Sequence, residues 1–404
     1  MTRKEQNILI LILGAIAALG PFSIDMYLPG FSAIAEDLET DIASVSLTLT
    51  SYFIGISVGQ LIYGPLVDRF GRKKPLMIGL GIYTLAAVGC AFSPSIYWLI
   101  GLRLLQGFGG CVGMVASRAI VRDLFPVREI AKVFSTLILV MGVAPIIAPT
   151  LGGYVISRLG WPYIFIILSG ISALLLITVY KFLGESRGSD PDVSLHPARV
   201  AVNYFEVLKN RDFLIYGLAG SVTMAAMFTY ITGSPFVLME IYGFSETTFG
   251  WIFGVNAFGF ILGSQINRLW LGWKDADVIS HITSVLLLVI GSVLSIAALM
   301  GELSAALLLI LLFLFLFILG FLNPNTSALA LEPFERQAGV ASALIGSFRM
   351  LSGAIASGLI SLFFDGTEFP MIFIMLGCSF LVLLLLHYYR ITQNRRLNYQ
   401  GKQA

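Results

Sequence analysis

Charge is what this chain has least of. Asp, Glu, Lys and Arg together supply 12% of its 404 residues, where a water-soluble domain carries roughly 25%. The net charge is only +2, and no basic patch is wide enough to hold a phosphate backbone, so nucleic acid is not an expected partner. Cysteine is nearly absent. Cys90, Cys111 and Cys378 each sit inside an apolar run in no paired spacing, which reads as small core residues. The three histidines, His196, His281 and His387, lie in a loop or near the ends of apolar runs and form no ligand set with the cysteines, so no metal site is expected. There is no phosphate-cradling Gly-rich loop with its lysine, which argues against coupling to ATP. Nor is there a clustered His, Asp or Cys constellation of the kind an integral membrane acyl or glycosyl transferase needs. No cofactor is expected, and the chain does not read as an enzyme.

What is present is apolar sequence: 57% of the residues are hydrophobic and the mean hydropathy is +0.89. A lipid bilayer is the solvent that suits such a chain. Apolar runs long enough to cross one appear near 7–28, 44–66, 76–92, 96–117, 133–156, 161–183, 212–236, 248–269, 278–299, 304–323, 338–363 and 370–389. Twelve crossings put both termini on one side. The first run follows Arg3 and Lys4 and precedes Ala33-Ile34-Ala35, as in a signal peptide. It exceeds the usual ~7–15 residues of such a segment and carries Asp25, so it reads as a retained span.

Lys and Arg collect in cytoplasmic loops. With the termini inside, every cation falls on the cytoplasmic side except Arg103, Arg118 and Arg349, in or at the edge of spans, and Arg158 outside. Acids mark the other side: Glu36, Asp37, Glu39 and Asp41, then Glu240 and Glu246. The longest polar interval divides the chain into a six-span bundle at 1–183, a cytoplasmic linker at 184–211, and a second six-span bundle with a cytoplasmic tail at 212–404. Within the linker, Val200 to Leu208 fits either an interfacial helix or a flexible tether. Adding 199 carries Tyr52, Gly55, Gly64, Asp68 and Arg69 onto Trp251, Gly254, Gly263, Asn267 and Arg268. Adding 207 carries Pro126, Ala131, Val133 and Ser135 onto Pro333, Ala338, Val340 and Ser342. Two such offsets are what a duplicated unit with small loop insertions leaves behind.

The most informative polar stretch is Gly64-Pro65-Leu66-Val67-Asp68-Arg69-Phe70-Gly71-Arg72-Lys73-Lys74-Pro75. Its four cations and carboxylate cannot lie in hydrocarbon, so it must be a tight loop at a membrane face. Gly64 and Gly71 are expected to let two helix ends approach closely. This stretch resembles the loop between spans two and three of the major facilitator superfamily. Arg103-Leu104-Leu105-Gln106-Gly107 is similar to the fourth-span motif of that family, whose arginine is associated with proton transfer. The stretch Gly142 to Gly153, with Pro145, Pro149, Gly152 and Gly153, resembles the antiporter motif of its drug-exporting branch, although Ala144 and Ala148 replace two glycines. With Asp25-Met26-Tyr27-Leu28-Pro29, these features resemble the twelve-span drug:proton antiporters of the bicyclomycin and chloramphenicol exporter type.

The resemblance implies an all-α integral membrane fold of two pseudo-symmetric six-helix bundles, a monomer, in a bacterial inner membrane. It implies export of a small lipophilic or anionic organic compound in exchange for protons, by alternating access. It also implies that Gly64, Asp68, Arg69, Gly71 and Arg72 join Asp123 in an inner-face latch between the halves, with Arg118 and Arg122 near enough in sequence to take part. An importer or exporter of an anionic metabolite or metal chelator is the alternative, because Arg349 and the altered antiporter motif leave room for it.

A charge within a span costs at least ~2.5–3.5 kcal/mol, so each needs a reason. Pro21 and Pro29 loosen the helix around Asp25. Burial disfavours its charged form and a nearby cation favours it, so a proton can be exchanged as the surroundings change. Asp25 is the expected proton carrier and Arg103, roughly 10 Å deep in the fourth span, its expected partner. The plainer alternatives are a permanently neutralised acid and an arginine clamping carbonyls of neighbouring helices. Arg349, near the middle of the eleventh span, is expected either to face the cavity and meet Asp25 or an anionic substrate, or to bond carbonyls and Asn256. Tyr27, Phe31, Tyr52, Tyr230, Phe236, Phe253, Asn256 and Phe258, with Arg349, make up the candidate substrate site, while Pro145, Pro149, Gly152 and Gly153 form a candidate hinge between the halves.

Overall fold

The computed structural model describes residues 3–191, 193, 195–334 and 338–400, without side chains at 3–5, 127, 128, 130–132, 135, 138, 338 and 393–400. Asp192 of the linker and the expected cytoplasmic cations Arg336 and Lys402 therefore lie outside the described residues, as do the side chains of Arg3, Lys4, Arg128, Ala131, Lys132, Ser135, Ala338, Arg395 and Arg396.

Among the described residues every regular element is a helix. The elements are α1 (Arg3–Asp25), α2 (Phe31–Asp37), α3 (Ile42–Phe70), α4 (Lys73–Ala91), α5 (Ile96–Leu124), α6 (Val127–Leu159), α7 (Pro162–Phe182) and α8 (Pro197–Leu208). There follow α9 (Arg211–Pro235), α10 (Glu246–Trp270), α11 (Ala276–Leu299), α12 (Ala305–Leu331), α13 (Ala338–Leu362) and α14 (Phe369–Gln400). Among the described residues, twelve spans are long and apolar enough to cross a bilayer. The short α2 prolongs the first of them, and α8 stands between the sixth and seventh.

Starts are set by local chemistry. The side chains of Asp41, Asn210, Ser245 and Ser304 accept hydrogen bonds from the first-turn N–H groups of α3, α9, α10 and α12, which no helical carbonyl can serve. The α3–α4 turn depends on Gly71, whose φ of +84° is a left-handed conformation that glycine adopts without strain. Gly64 does not bring helix ends together: a side chain there would meet only the Tyr204 hydroxyl, at 3.9 Å.

The first six spans meet the last six along two seams. On one, α3 faces α13: Ser57 Oγ bonds the Ser347 carbonyl at 3.0 Å, Ser357 Oγ bonds the Ser46 carbonyl at 3.1 Å, and Ser361 Oγ bonds the Ala43 carbonyl at 2.8 Å. On the other, α6 faces α10. A Cβ on Gly153 would lie 2.8 Å from the Glu246 carbonyl and one on Gly250 2.7 Å from Thr150 Cα, so backbone lies directly on backbone. Both seams are tight toward the Glu-rich and Asp-rich loops. Toward the opposite face, where the Lys-rich and Arg-rich loops lie, α3 and α5 part from α13 and leave a cavity of about 1050 Å³ with α8 along its wall.

Candidate functional site

Asp25 is the last residue of α1, at the point where the helix breaks into the turn around Pro29. It is 4% exposed, and no ion pair reaches it among the described residues. It lies within electrostatic reach of Tyr52 in the first half and Tyr230 in the second, so the acid stands between the two halves.

Arg103, fully buried, does not pair with Asp25. Its Nη1 donates to the Ser23 carbonyl at 3.1 Å and to Gln106 Oε1 at 2.8 Å. The first contact follows from the end of α1, whose final carbonyls have no helical partner and whose dipole favours a cation. The guanidinium stacks over Tyr52 at 4.2 Å and Tyr27 at 4.8 Å, with Phe165 at 5.7 Å. Rings of this kind offset part of the cost of burying a charge. Nε and Nη2 of Arg103 have no partner. The structure therefore has the carbonyl clamp, not the direct pair, and Arg103 holds the backbone two residues before Asp25. Ser23 also shares a 2.5 Å hydrogen bond with Tyr83. Neither Tyr83 nor Gln106 stood out in the sequence as a partner, although Gln106, one turn beyond Arg103, was there to be read.

The aromatic set divides. Tyr27 and Phe31 pack at 5.4 Å, and Tyr27 shares a hydrogen bond with Thr48 at 2.9 Å. With Tyr52 they form the buried surround of Arg103. In the second half Tyr230 stacks on Phe253 at 5.5 Å, and Asn256 Nδ2 donates to Tyr230 Oη at 2.9 Å. Phe236 sits at the far end of its span, edge-on to Phe364 at 4.7 Å. Phe258 is on a stripe with Trp251 and Val255 and is 52% exposed, on the side of α10 away from buried Phe253 and Asn256, so it does not join the others. None of the seven lines the cavity.

Arg349 reaches neither Asp25 nor Asn256. Its Nη2 donates to the Asn323 carbonyl at 3.2 Å and to Ser327 Oγ at 2.5 Å, both on α12.

At the Lys-rich and Arg-rich face, Arg72 donates from Nε to Asp123 Oδ2 and from Nη1 to Asp68 Oδ1, each at 2.8 Å. Ser186 Oγ also donates to Asp123, at 3.0 Å. Glu185 accepts from the backbone N–H of Arg72 at 2.6 Å and of Lys73 at 3.2 Å, at the positive end of α4. Arg69 Nη1 bonds the Val193 carbonyl at 3.2 Å. Burial works against the charge on Arg72, and the bonds and charges of Asp123 and Asp68 outweigh it, holding its pKa above the usual value. Arg118 and Arg122 take no part. Every one of these bonds lies within residues 67–193, so in this conformation the network braces the first six spans and does not join the two halves.

The candidate hinge residues lie on α6, along its seam with α10. Gly152 packs on the Met26 carbonyl, next to Asp25, while Pro149 and Gly153 lie against Gly250 and Glu246 of α10. Beside Pro145, the Ile146 carbonyl would lie 3.0 Å from a Cβ on Gly254.

Known proteins resemble this chain in sequence and in shape. The family described as Major Facilitator Superfamily matches residues 13–357. An uncharacterized MFS-type transporter, YdgK, of Bacillus subtilis is 36% identical over 89% of this chain and 90% of its own length. A bicyclomycin resistance protein homolog of Haemophilus influenzae is 33% identical over 99% of each chain. The multidrug resistance protein MdtL of Escherichia coli is 30% identical over 92% of this chain and 93% of its own. Among solved structures, a bacterial homolog to the human lysosomal transporter Spinster, inward-facing and occupied, superposes with a TM-score of 0.75 at 13% identity, covering 98% of both chains.

Proposed function

The chain belongs to the Major Facilitator Superfamily, and we propose that it exports small organic compounds, drugs among them, in exchange for protons across a bacterial inner membrane, with both termini in the cytoplasm. Membership makes it a multi-pass membrane transporter and not an enzyme. The observation that carries the finer reading is Asp25: a carboxyl group buried between the two halves, at a helix break, with no ion pair among the described residues. An acid so placed is expensive to keep charged, and a proton is the smallest ligand that removes the charge. When Asp25 loses its proton, Arg103 still has Nε and Nη2 to offer, so the cation that holds the end of α1 is the natural receiver of the new charge.

The cavity open toward the Lys-rich and Arg-rich loops, with both seams closed on the other side, is the inward-facing half of an alternating-access cycle. Pro145, Pro149, Gly152 and Gly153 are the hinge of that cycle. Gly64, Asp68, Arg69, Gly71, Arg72 and Asp123 are its inner latch, undone here from the second half. Residues 1–183 and 212–404 are the two moving bundles and 184–211 their linker.

The deciding experiment is substrate uptake into inside-out vesicles with an imposed proton gradient. Asp25→Asn should abolish gradient-driven transport while leaving exchange down a substrate gradient intact. Full gradient-driven activity in that variant would overturn the assignment.

A further inference from the structure

Four cations crowd the turn between α3 and α4, and three of them are engaged. Arg72 holds Asp68 and Asp123, Arg69 Nη1 bonds the Val193 carbonyl, and Lys73 Nζ donates to the Tyr180 carbonyl at 2.9 Å. Lys74 is exposed and makes no hydrogen bond or ion pair among the described residues; its ammonium lies over the Phe70 ring, 5.8 Å from the centroid. Both residues line a second cavity, of about 350 Å³, on another face of α3 from the first. Its walls are Leu66 of α3 with Ile78 and Ile82 of α4, and its back is the ring pair of buried Tyr63 and half-buried Phe108, 5.2 Å apart. Apart from the Lys74 ammonium and the Tyr63 hydroxyl no lining side chain is polar, so water finds too few partners there. Phe70 and Ile78 are exposed large apolar residues, which puts the opening on the surface that lipid surrounds. From Lys74 to Ile82 the trough follows about two turns of α4, roughly 12 Å, from the membrane face into hydrocarbon. Left empty, it would forfeit the dispersion contacts of everything that lines it.

We propose that this trough is a binding site for an anionic phospholipid, one acyl chain lying along Ile78 and Ile82 and the phosphate head held by Lys74. An acyl chain is the apolar rod that a bilayer supplies at this depth, and its head ends at the membrane face where the unpaired ammonium stands. A lysine meets a phosphate as a point charge and needs no forked geometry. A zwitterionic head brings a cation of its own to Lys74, so the site selects lipids of net negative charge. A second protein surface covering the trough would bury the ammonium with no counter-charge, which is costly. The site lies apart from the large cavity, and the proposal rests only on the chain spanning a bilayer, not on the direction or coupling of transport.

The test is photocrosslinking of the full chain in phosphatidylcholine bilayers that carry a trace of phosphatidylglycerol or of phosphatidylcholine with a diazirine in one acyl chain. Mass spectrometry of the digested protein then locates the label. In wild type the trough should be labelled about fivefold more by the phosphatidylglycerol probe than by the phosphatidylcholine probe at equal dose, the factor that one basic side chain at a membrane surface contributes. Lys74→Gln should make the two probes equal by lowering the first and leaving the second as it was, which also reports that the trough is intact. Lys74→Arg should keep the preference. Lys274→Gln, which removes a cation from the turn between α10 and α11 in the second half, should change nothing. Equal labelling by both probes in wild type, a preference that survives Lys74→Gln or is lost also in Lys274→Gln, or labelling that spares the trough would each overturn the proposal. None of these results bears on Asp25, and a failure of Asp25→Asn to alter transport would leave the lipid site standing.

Discussion

The hydroxyl of Tyr204 donates to the carbonyl of Leu61 at 3.0 Å, and Leu61 is the residue that Pro65, four positions later, leaves without a helical partner. A proline inside a helix has no N–H for the carbonyl one turn back, and α3 continues through Pro65. The linker helix α8 supplies the missing donor from a distant part of the chain. The freed carbonyl is therefore a docking point that keeps α8 on the wall of the cavity. Burial, together with the charge of Asp68, pushes the Tyr204 hydroxyl up to about 12, so it remains a donor throughout the physiological range.

Tyr204→Phe should loosen that docking by about 1 kcal/mol, the net value of one such bond. Trypsin cleavage at Arg199 within α8 should then quicken about fivefold, the ratio to which that energy corresponds. An unchanged rate would mean that α8 is held by its apolar contacts instead.

Arg103→Lys should keep a cation at the site and still fail. An ammonium is a compact charge that cannot hold the Ser23 carbonyl and Gln106 while lying flat over Tyr27 and Tyr52. Gradient-driven transport should fall by about tenfold or more, about 1.4 kcal/mol, with exchange down a substrate gradient less affected. Equal loss of both would make Arg103 a purely structural clamp.

Arg72 and Asp68 should differ sharply although they form one pair. Arg72→Ala leaves Asp123, 14% exposed, without its cation, and should cost about 3 kcal/mol, as the breaking of a buried pair does. Asp68 is 57% exposed, so Asp68→Asn should cost under ~1 kcal/mol. Thermal unfolding of the purified variants separates the two, while transport reports whether Asp68 matters only in the conformation closed on this face.

Ser57 and Ser347 face each other across the halves with their hydroxyls 2.9 Å apart. Ser57→Cys combined with Ser347→Cys should form a disulfide on mild oxidation, because the wild-type cysteines are buried and do not compete. The bridge should stop transport and a reductant should restore it. Transport at full rate through the oxidised protein would exclude alternating access at this seam.

The twelve spans, the tight Gly71 turn and the charge of Asp25 were legible in the sequence, because the cost of burying polar groups in lipid adds up residue by residue along the chain. So was α8 as one of two readings of the linker, since its apolar and charged positions alternate locally. The partners of the charges were legible only for Arg72, which meets Asp68 and Asp123 as the resemblance implied. Arg103 meets the end of α1 instead of Asp25 because that helix breaks at Asp25 and exposes the Ser23 carbonyl. The bonds of Arg72 stay within the first half because its carboxylate partners stand on α3 and α5 of that half. Phe258 looks outward while Phe253, five positions earlier, is buried, a matter of how α10 is rotated about its axis. Arg118 lines the cavity with no ion pair among the described residues, though one turn from Arg122 it reads in sequence as a neighbour of the inner-face network. Hydrophobicity is a local, additive property, so the sequence alone determines which segments enter the membrane. Which side chains meet depends on where each helix ends, how it is turned and which face of the two-half assembly is open, and only the tertiary structure decides that.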